Sequence, residues 1–106
     1  MAEKTEYWFA NMGQFNNMIQ TDVTITNKLG LHARAAAKFV TLASGFECEI
    51  QLVKDDRAVN GKSIMGIMML AAGKGTSLKI VAEGGDENSA VAKLKELVEN
   101  RFGENE

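Results

Sequence analysis

The stretch Ile19-Gln20-Thr21-Asp22-Val23-Thr24-Ile25-Thr26 runs through Asn27-Lys28-Leu29-Gly30-Leu31-His32 into Ala33-Arg34-Ala35-Ala36-Ala37-Lys38-Phe39-Val40. In its first part Ile19, Thr21, Val23 and Ile25 alternate with Gln20, Asp22, Thr24 and Thr26, the two-residue period of a half-buried strand. From Ala33 to Ser44 strong helix formers dominate, and Ala36, Phe39, Val40 and Ala43 recur at helical spacing, so one face is buried. Gly45 is the natural stop for that helix. Asn27 to Leu31 is the connecting loop, with Gly30 as its flexible point. A strand feeding a helix through a short polar loop is the unit from which the rest of the fold is read.

Downstream the same reasoning gives three more strands and two more helices. Cys48, Ile50 and Leu52 alternate with Glu47, Glu49 and Gln51, and Lys54-Asp55-Asp56-Arg57 turns the chain into a short strand at Ala58 to Asn60. Ser63 heads a short apolar helix from Ile64 to about Leu70, which Ala72-Gly73-Lys74-Gly75 breaks. Leu78, Ile80 and Ala82 against Ser77, Lys79 and Val81 make the fourth strand. Gly84-Gly85-Asp86 turns again, with Asp86 placed to cap the last helix. That helix carries Ala90, Val91, Leu94, Leu97, Val98 and Phe102 on one side and is expected to stop at Gly103. The order β-α-β-β-α-β-α describes an α+β domain, a four-stranded sheet covered by helices on one face. No internal repeat is present.

The composition bounds the function. At 106 residues, 45% hydrophobic and 25% charged, the chain is one ordinary domain's worth. Lys and Arg number 12 against 14 Asp and Glu, without a basic cluster, which argues against nucleic acid or a membrane surface as a partner. One cysteine excludes an internal disulfide, and one cysteine with one histidine cannot build a zinc site, so no metal or cofactor is expected. Cys48 lies on the apolar side of its strand and reads as a core residue. No apolar run approaches the length of a membrane span, and no secretory signal is present, so a cytoplasmic setting is expected. Residues 1–17 differ from the rest: they hold Tyr7, Trp8, Phe9 and Phe15 without helical or strand period. They are expected to be a loosely ordered leader, with residues 18–106 as the domain; an aromatic docking segment is the alternative.

The one histidine, His32, stands at the expected start of the first helix, with Arg34 two residues on. The first N–H groups of a helix lack intrahelical partners and, with the helix dipole, favour an anion such as phosphate. Arg34 adds a planar fork of donors suited to phosphoryl oxygens. Such a site supports attack of an imidazole nitrogen on a phosphoryl group, giving a phosphoramidate able to pass its phosphate onward. A capping or surface histidine without chemistry is the plainer alternative.

Asn27-Lys28-Leu29-Gly30-Leu31-His32-Ala33-Arg34 resembles the active-site segment of HPr, the histidine-containing phosphocarrier family of the bacterial sugar phosphotransferase system. Val59-Asn60-Gly61-Lys62-Ser63-Ile64-Met65-Gly66-Ile67-Met68 resembles that family's regulatory-serine segment. The Gly75-Thr76 strand and the Glu83-Gly84-Gly85-Asp86-Glu87 turn agree in order and spacing, so the resemblance spans about residues 18 to 103. It implies an open-faced β-sandwich, an antiparallel sheet with three helices on one face. It also implies that His32 accepts phosphate at Nδ1 from phosphorylated Enzyme I, whose donor is phosphoenolpyruvate, and passes it to an enzyme IIA domain. Arg34 would stabilise that phosphate, and Ser63 would be the target of HPr kinase/phosphorylase. Such a protein is a stoichiometric, monomeric carrier rather than an enzyme. The family's commonest residue after the arginine is proline; here Ala35 follows, and the chain has no proline.

The second helix is apolar around nearly its whole circumference, which a short helix on a sheet cannot bury. With the resemblance, Ile64, Met65, Met68 and Met69 are the expected exposed partner-docking anchors, and Ile67 and Leu70 the core positions; flexible methionines suit a surface that meets several partners. The nitrogen-related paralogue NPr, in a regulatory phosphorelay, is the neighbouring alternative. A non-catalytic α+β regulatory module is the distant one.

Overall fold

The computed structural model describes residues 18–106. Strand β1 is Met18–Thr24, helix α1 Ala33–Ser44, β2 Glu49–Lys54, β3 Arg57–Asn60, α2 Ile64–Met68, β4 Ser77–Glu83 and α3 Glu87–Glu99, followed by a 3-10 turn at Arg101–Gly103. The strands form one antiparallel sheet in the order β1-β4-β2-β3. The helices lie on one side of it, giving the open-faced sandwich. The expectation of a loosely ordered leader falls on residues 1–17, which lie outside the described residues.

Alternation decides which side chains meet the helices. Val23, Ile50, Leu52, Leu78, Ile80 and Ala82 are buried in one cluster with Ala36 and Phe39 of α1, Ile67 of α2, and Leu94 and Val98 of α3. Each large apolar side chain buried this way contributes about 1.5–3 kcal/mol. The opposite face is less polar than the alternation implies. Val53 and Val81 are buried there too, flanked across the ladder by Lys79 and Ala58, and by Gln20 and Gln51. Long polar side chains beside a valine on a twisted sheet can shield it with their stems.

Three local expectations change. Helix α2 ends at Met68 rather than near Leu70; Leu70 is buried in the turn beyond, and Ala71 takes a left-handed conformation. Asp86 occupies the N-cap position of α3, but its side chain makes no capping bond. Its carboxylate instead accepts the backbone N–H groups of Glu47 (2.9 Å) and Cys48 (3.0 Å), the two residues that lead into β2. Helix α3 ends at Glu99, not at Gly103. Arg101 (φ 56°) and Phe102 (φ 55°) are both left-handed, which costs roughly 1–2 kcal/mol each. The turn swings Phe102 fully into the core, a gain of comparable size. Lys38 Nζ donates to the Phe102 carbonyl at 2.7 Å and adds to the balance. The consequence for the site is that residues 104–106 are redirected toward the start of α1.

Cys48 is buried, as its place on the apolar side of the strand implies. Burial first, and then a hydrogen bond to Asp86, push its thiol up to about 12. Among the described residues no helix is long and apolar enough to cross a membrane.

Candidate phosphoryl-acceptor site

The loop before α1 is held by its own polar groups. Asn27 is completely buried, and its Nδ2 donates to the Gly30 carbonyl at 2.9 Å. Gly30 adopts φ +70°, and a Cβ there would stand 2.6 Å from the Ala72 carbonyl oxygen and 2.7 Å from Gly73 Cα. Only glycine permits both that backbone conformation and that approach. The approach lets Leu31 N–H donate to Ala72 O at 2.9 Å, tying the loop to the chain that leaves α2.

His32 is the N-cap of α1, with extended backbone (φ −74°, ψ 178°), and its carbonyl accepts the Ala36 N–H at 2.8 Å. No side chain caps the helix, and its first turn contains no acidic residue. The positive end of a twelve-residue helix therefore opens toward the loop without a resident counter-charge from its own first turn. His32 and Arg34 line the same cleft, about 520 Å3, together with Lys28, Leu29, Glu104, Asn105 and Glu106. Arg34 is exposed and free to turn toward an anion. The structure thus brings His32 and Arg34 together.

The C-terminal side of this cleft, Glu104 to Glu106, escapes sequence reasoning. Glu104 meets the ring of His32 at Nε2, and its other carboxyl oxygen accepts from Asn27 Nδ2 at 3.0 Å. The hydrogen bond with His32 first, and then the one from the Asn27 amide, hold the Glu104 carboxyl below the usual carboxylate range. Glu106 pairs with Lys28 twice, through Lys28 N–H to Glu106 O (2.7 Å) and Lys28 Nζ to Glu106 Oε1 (3.4 Å). Nothing in the pattern of Gly103-Glu104-Asn105-Glu106 points to the cleft. A glycine after a buried phenylalanine is the single local hint that the chain turns back.

Ser63 lies outside that cleft. It is the N-cap of α2, and its Oγ accepts the Gly66 N–H at 3.1 Å. Next to it Met65 and Met69 are 72% and 62% exposed, Ile64 and Met68 less so, while Ile67 and Leu70 are buried. Leu29, on the rim of the His32 cleft, is exposed as well and was not singled out in the sequence. Among the described residues no cluster of three or more His, Cys, Asp and Glu side chains could hold a metal ion.

Known proteins share this arrangement of chain. The family model for the PTS HPr component phosphorylation site matches residues 19–100. The phosphocarrier protein HPr of Pseudomonas aeruginosa is 54% identical over 86 residues, covering 80% of this chain and 96% of that protein. HPr of Neisseria meningitidis is 51% identical over 89 residues, covering 84% of this chain and 100% of its own length. The crystal structure of HPr-C-His from Thermoanaerobacter tengcongensis superposes with a TM-score of 0.80 at 48% identity, covering 83% of this chain and 99% of that one. The matched span contains the loop, His32, Arg34 and the Ser63 helix, and the shared fold is the open-faced sandwich described above. The chain belongs to the HPr family, the phosphocarrier proteins of the phosphotransferase system.

Proposed function

We propose that His32 accepts a phosphoryl group at Nδ1 from phosphorylated Enzyme I, charged from phosphoenolpyruvate, and passes it to enzyme IIA domains of sugar permeases. The observation that carries this reading is the placing of the chain's one histidine at the uncapped N-terminus of α1, in one cleft with Arg34. In the forward step the Nδ1 lone pair attacks phosphorus. The new N–P bond forms as the donor's bond to phosphorus breaks, and the electron pair of that bond returns to the donor. Neutral imidazole needs no general base for this attack. The free N–H groups of the first turn and the Arg34 guanidinium take up charge on the phosphoryl oxygens. The protein acts as a stoichiometric cytoplasmic carrier, a monomer that docks partners through Ile64, Met65, Met68 and Met69.

Ser63 is the proposed control point, modified by HPr kinase/phosphorylase. A phosphate at a helix N-terminus suits the dipole, so α2 would keep its structure. Its charge would fall beside Ile64 and Met65, in the middle of the apolar docking face, and penalise burial against Enzyme I.

Incubation with Enzyme I and phosphoenolpyruvate, followed by ³¹P NMR, tests the reading. A phosphoramidate resonance in the wild type that is absent from His32→Ala is the expected outcome. No resonance in the wild type, or an undiminished one in His32→Ala, would sink it.

A further inference from the structure

Helices α1 and α3 leave a second groove between them, of about 590 Å3. Ala37 and Leu42 of α1 and Leu97 of α3 supply its apolar surface, and both leucines stay partly exposed although they pack on the core. Lys38 and Arg34 add two cations at the start of α1, and none of the described residues lining the groove is acidic. Lys38 Nζ gives one N–H to the Phe102 carbonyl and keeps two. The groove therefore suits an apolar occupant that brings carboxylates to the Lys38 and Arg34 end. Such a segment stands in the same chain, where Glu3 and Glu6 precede Tyr7-Trp8-Phe9.

Its tether ends in the right place. Residues 1–17 join the domain at Met18, which pairs with Glu83, and Glu83 pairs in turn with Glu49. Met18 thus lies two strand spacings, about 10 Å, from the start of β2. Gly45, where α1 and the groove both end, is a few residues before that start. Asp86, the N-cap of α3, accepts from Glu47 and Cys48 and brings the start of α3 to the same end. The link from Ala10 to Asn17 reaches at most about 28 Å. The groove runs only about 16 Å along α1, from Gly45 to Arg34. Traced back from Met18, the chain meets Leu42 with its aromatic residues first, then Lys38 and Arg34 with Glu6 and Glu3.

We propose that the α1–α3 groove is the docking site for residues 3–9 of the same chain, with Trp8 against Leu42 and Leu97 and with Glu6 and Glu3 facing Lys38 and Arg34. An aromatic side chain of this size buries about 150–250 Å2, which supplies the affinity. The exposed charge pairs contribute less and set the direction of the segment. Because the segment is tethered, its effective concentration is of the order of mM, so even a weak contact is populated. Arg34 lines both this groove and the His32 cleft, so the docked segment stands beside that cleft.

Trp8 is the one tryptophan, so the emission of the full chain reports this contact directly. In the wild type it should lie to the blue of the urea-unfolded chain and resist quenching by acrylamide. Thr41 lines the groove and is exposed, so Thr41→Glu places a like charge and extra bulk there without touching the core. That variant should return the emission to the unfolded position and lower the melting temperature by about 4–8 °C. Trp8→Ala should lose as much, and adding Thr41→Glu to it should cost nothing further, because both remove one contact. A Thr41→Glu loss that persists undiminished in the Trp8→Ala background would overturn the proposal, since the glutamate would then act on the helix alone. Wild-type emission at the unfolded position would overturn it too. So would a blue shift that grows with protein concentration, which would place the segment on a second copy. A blue shift abolished by Met65→Glu and kept in Thr41→Glu would place it on the methionine face of α2 and overturn the assignment to this groove.

Discussion

The starts of α1 and α2 handle the same physical problem in opposite ways. Both N-cap residues have extended backbone, but Ser63 closes its helix by accepting the Gly66 N–H, whereas His32 makes no side-chain cap and turns its ring to Glu104. Anchorage accounts for the difference. Helix α1 has twelve residues and buries Ala35, Ala36, Phe39 and Ala43, while α2 has five and buries Ile67 within its span. An absent cap costs about 1 kcal/mol, which the packed face of α1 offsets easily and the single buried side chain of α2 only narrowly. A helix secured along its side can thus leave its end open to a ligand. The start of α3 is a third case: Asp86 stands at the cap but serves β2, taking the N–H groups of Glu47 and Cys48.

That third case gives the largest expected effect. With its thiol at about 12 instead of 9.0, Cys48 should react with iodoacetamide at pH 8 roughly a thousandfold more slowly than the unfolded chain. The sign follows for stability as well. The folded value is raised, so the contribution is complete below pH 9 and is lost as pH rises toward 12. Rapid alkylation of the folded protein would mean that Cys48 is not buried against Asp86 as the structure places it.

Arg34→Ala probes the open end of α1. One charge-assisted contact to a phosphoryl group is worth about 1.5–3 kcal/mol, or roughly ten- to hundredfold in transfer rate. Because Arg34 is exposed, the melting temperature should not move. An unchanged rate at unchanged stability would mean that the open end works without it.

At the closed end, Ser63→Asp should weaken Enzyme I binding by about thirtyfold, the equivalent of roughly 2 kcal/mol for an unmatched charge in an apolar contact. Circular dichroism should show the fold intact. Titration calorimetry giving wild-type affinity would end the control role proposed for Ser63, and loss of tertiary structure would make that residue a purely structural one.

The smallest effect compares the caps directly. Ser63→Ala should lower unfolding free energy by about 1 kcal/mol, since the Gly66 N–H loses its acceptor. Urea unfolding with no change in midpoint would show that α2 does not depend on its cap, and the contrast with α1 would dissolve.

Local pattern was enough for much of this molecule. Two-residue alternation located the strands, helical spacing placed Ala33–Ser44 to the residue, and the position of His32 beside Arg34 at that helix start followed from the loop before it. The exposure of Ile64, Met65, Met68 and Met69 was also legible, because a five-residue helix cannot bury its full circumference. These features depend on near neighbours in the chain, and periodicity encodes near neighbours.

Tertiary structure decided what lies behind the histidine. Glu104 is 72 residues from His32, and no local pattern reports which side chains the sheet brings together across that distance. The path that delivers it runs against local preference, through left-handed Arg101 and Phe102, and it is sustained by burial of Phe102 in a core shared by β1, β2, β4 and all three helices. Asp86 likewise has a capping residue's sequence context, yet its carboxylate takes the N–H groups of Glu47 and Cys48 just before β2. Sequence alone determined that His32 and Arg34 stand at the start of α1; the packed core determined which carboxylate stands against the His32 ring.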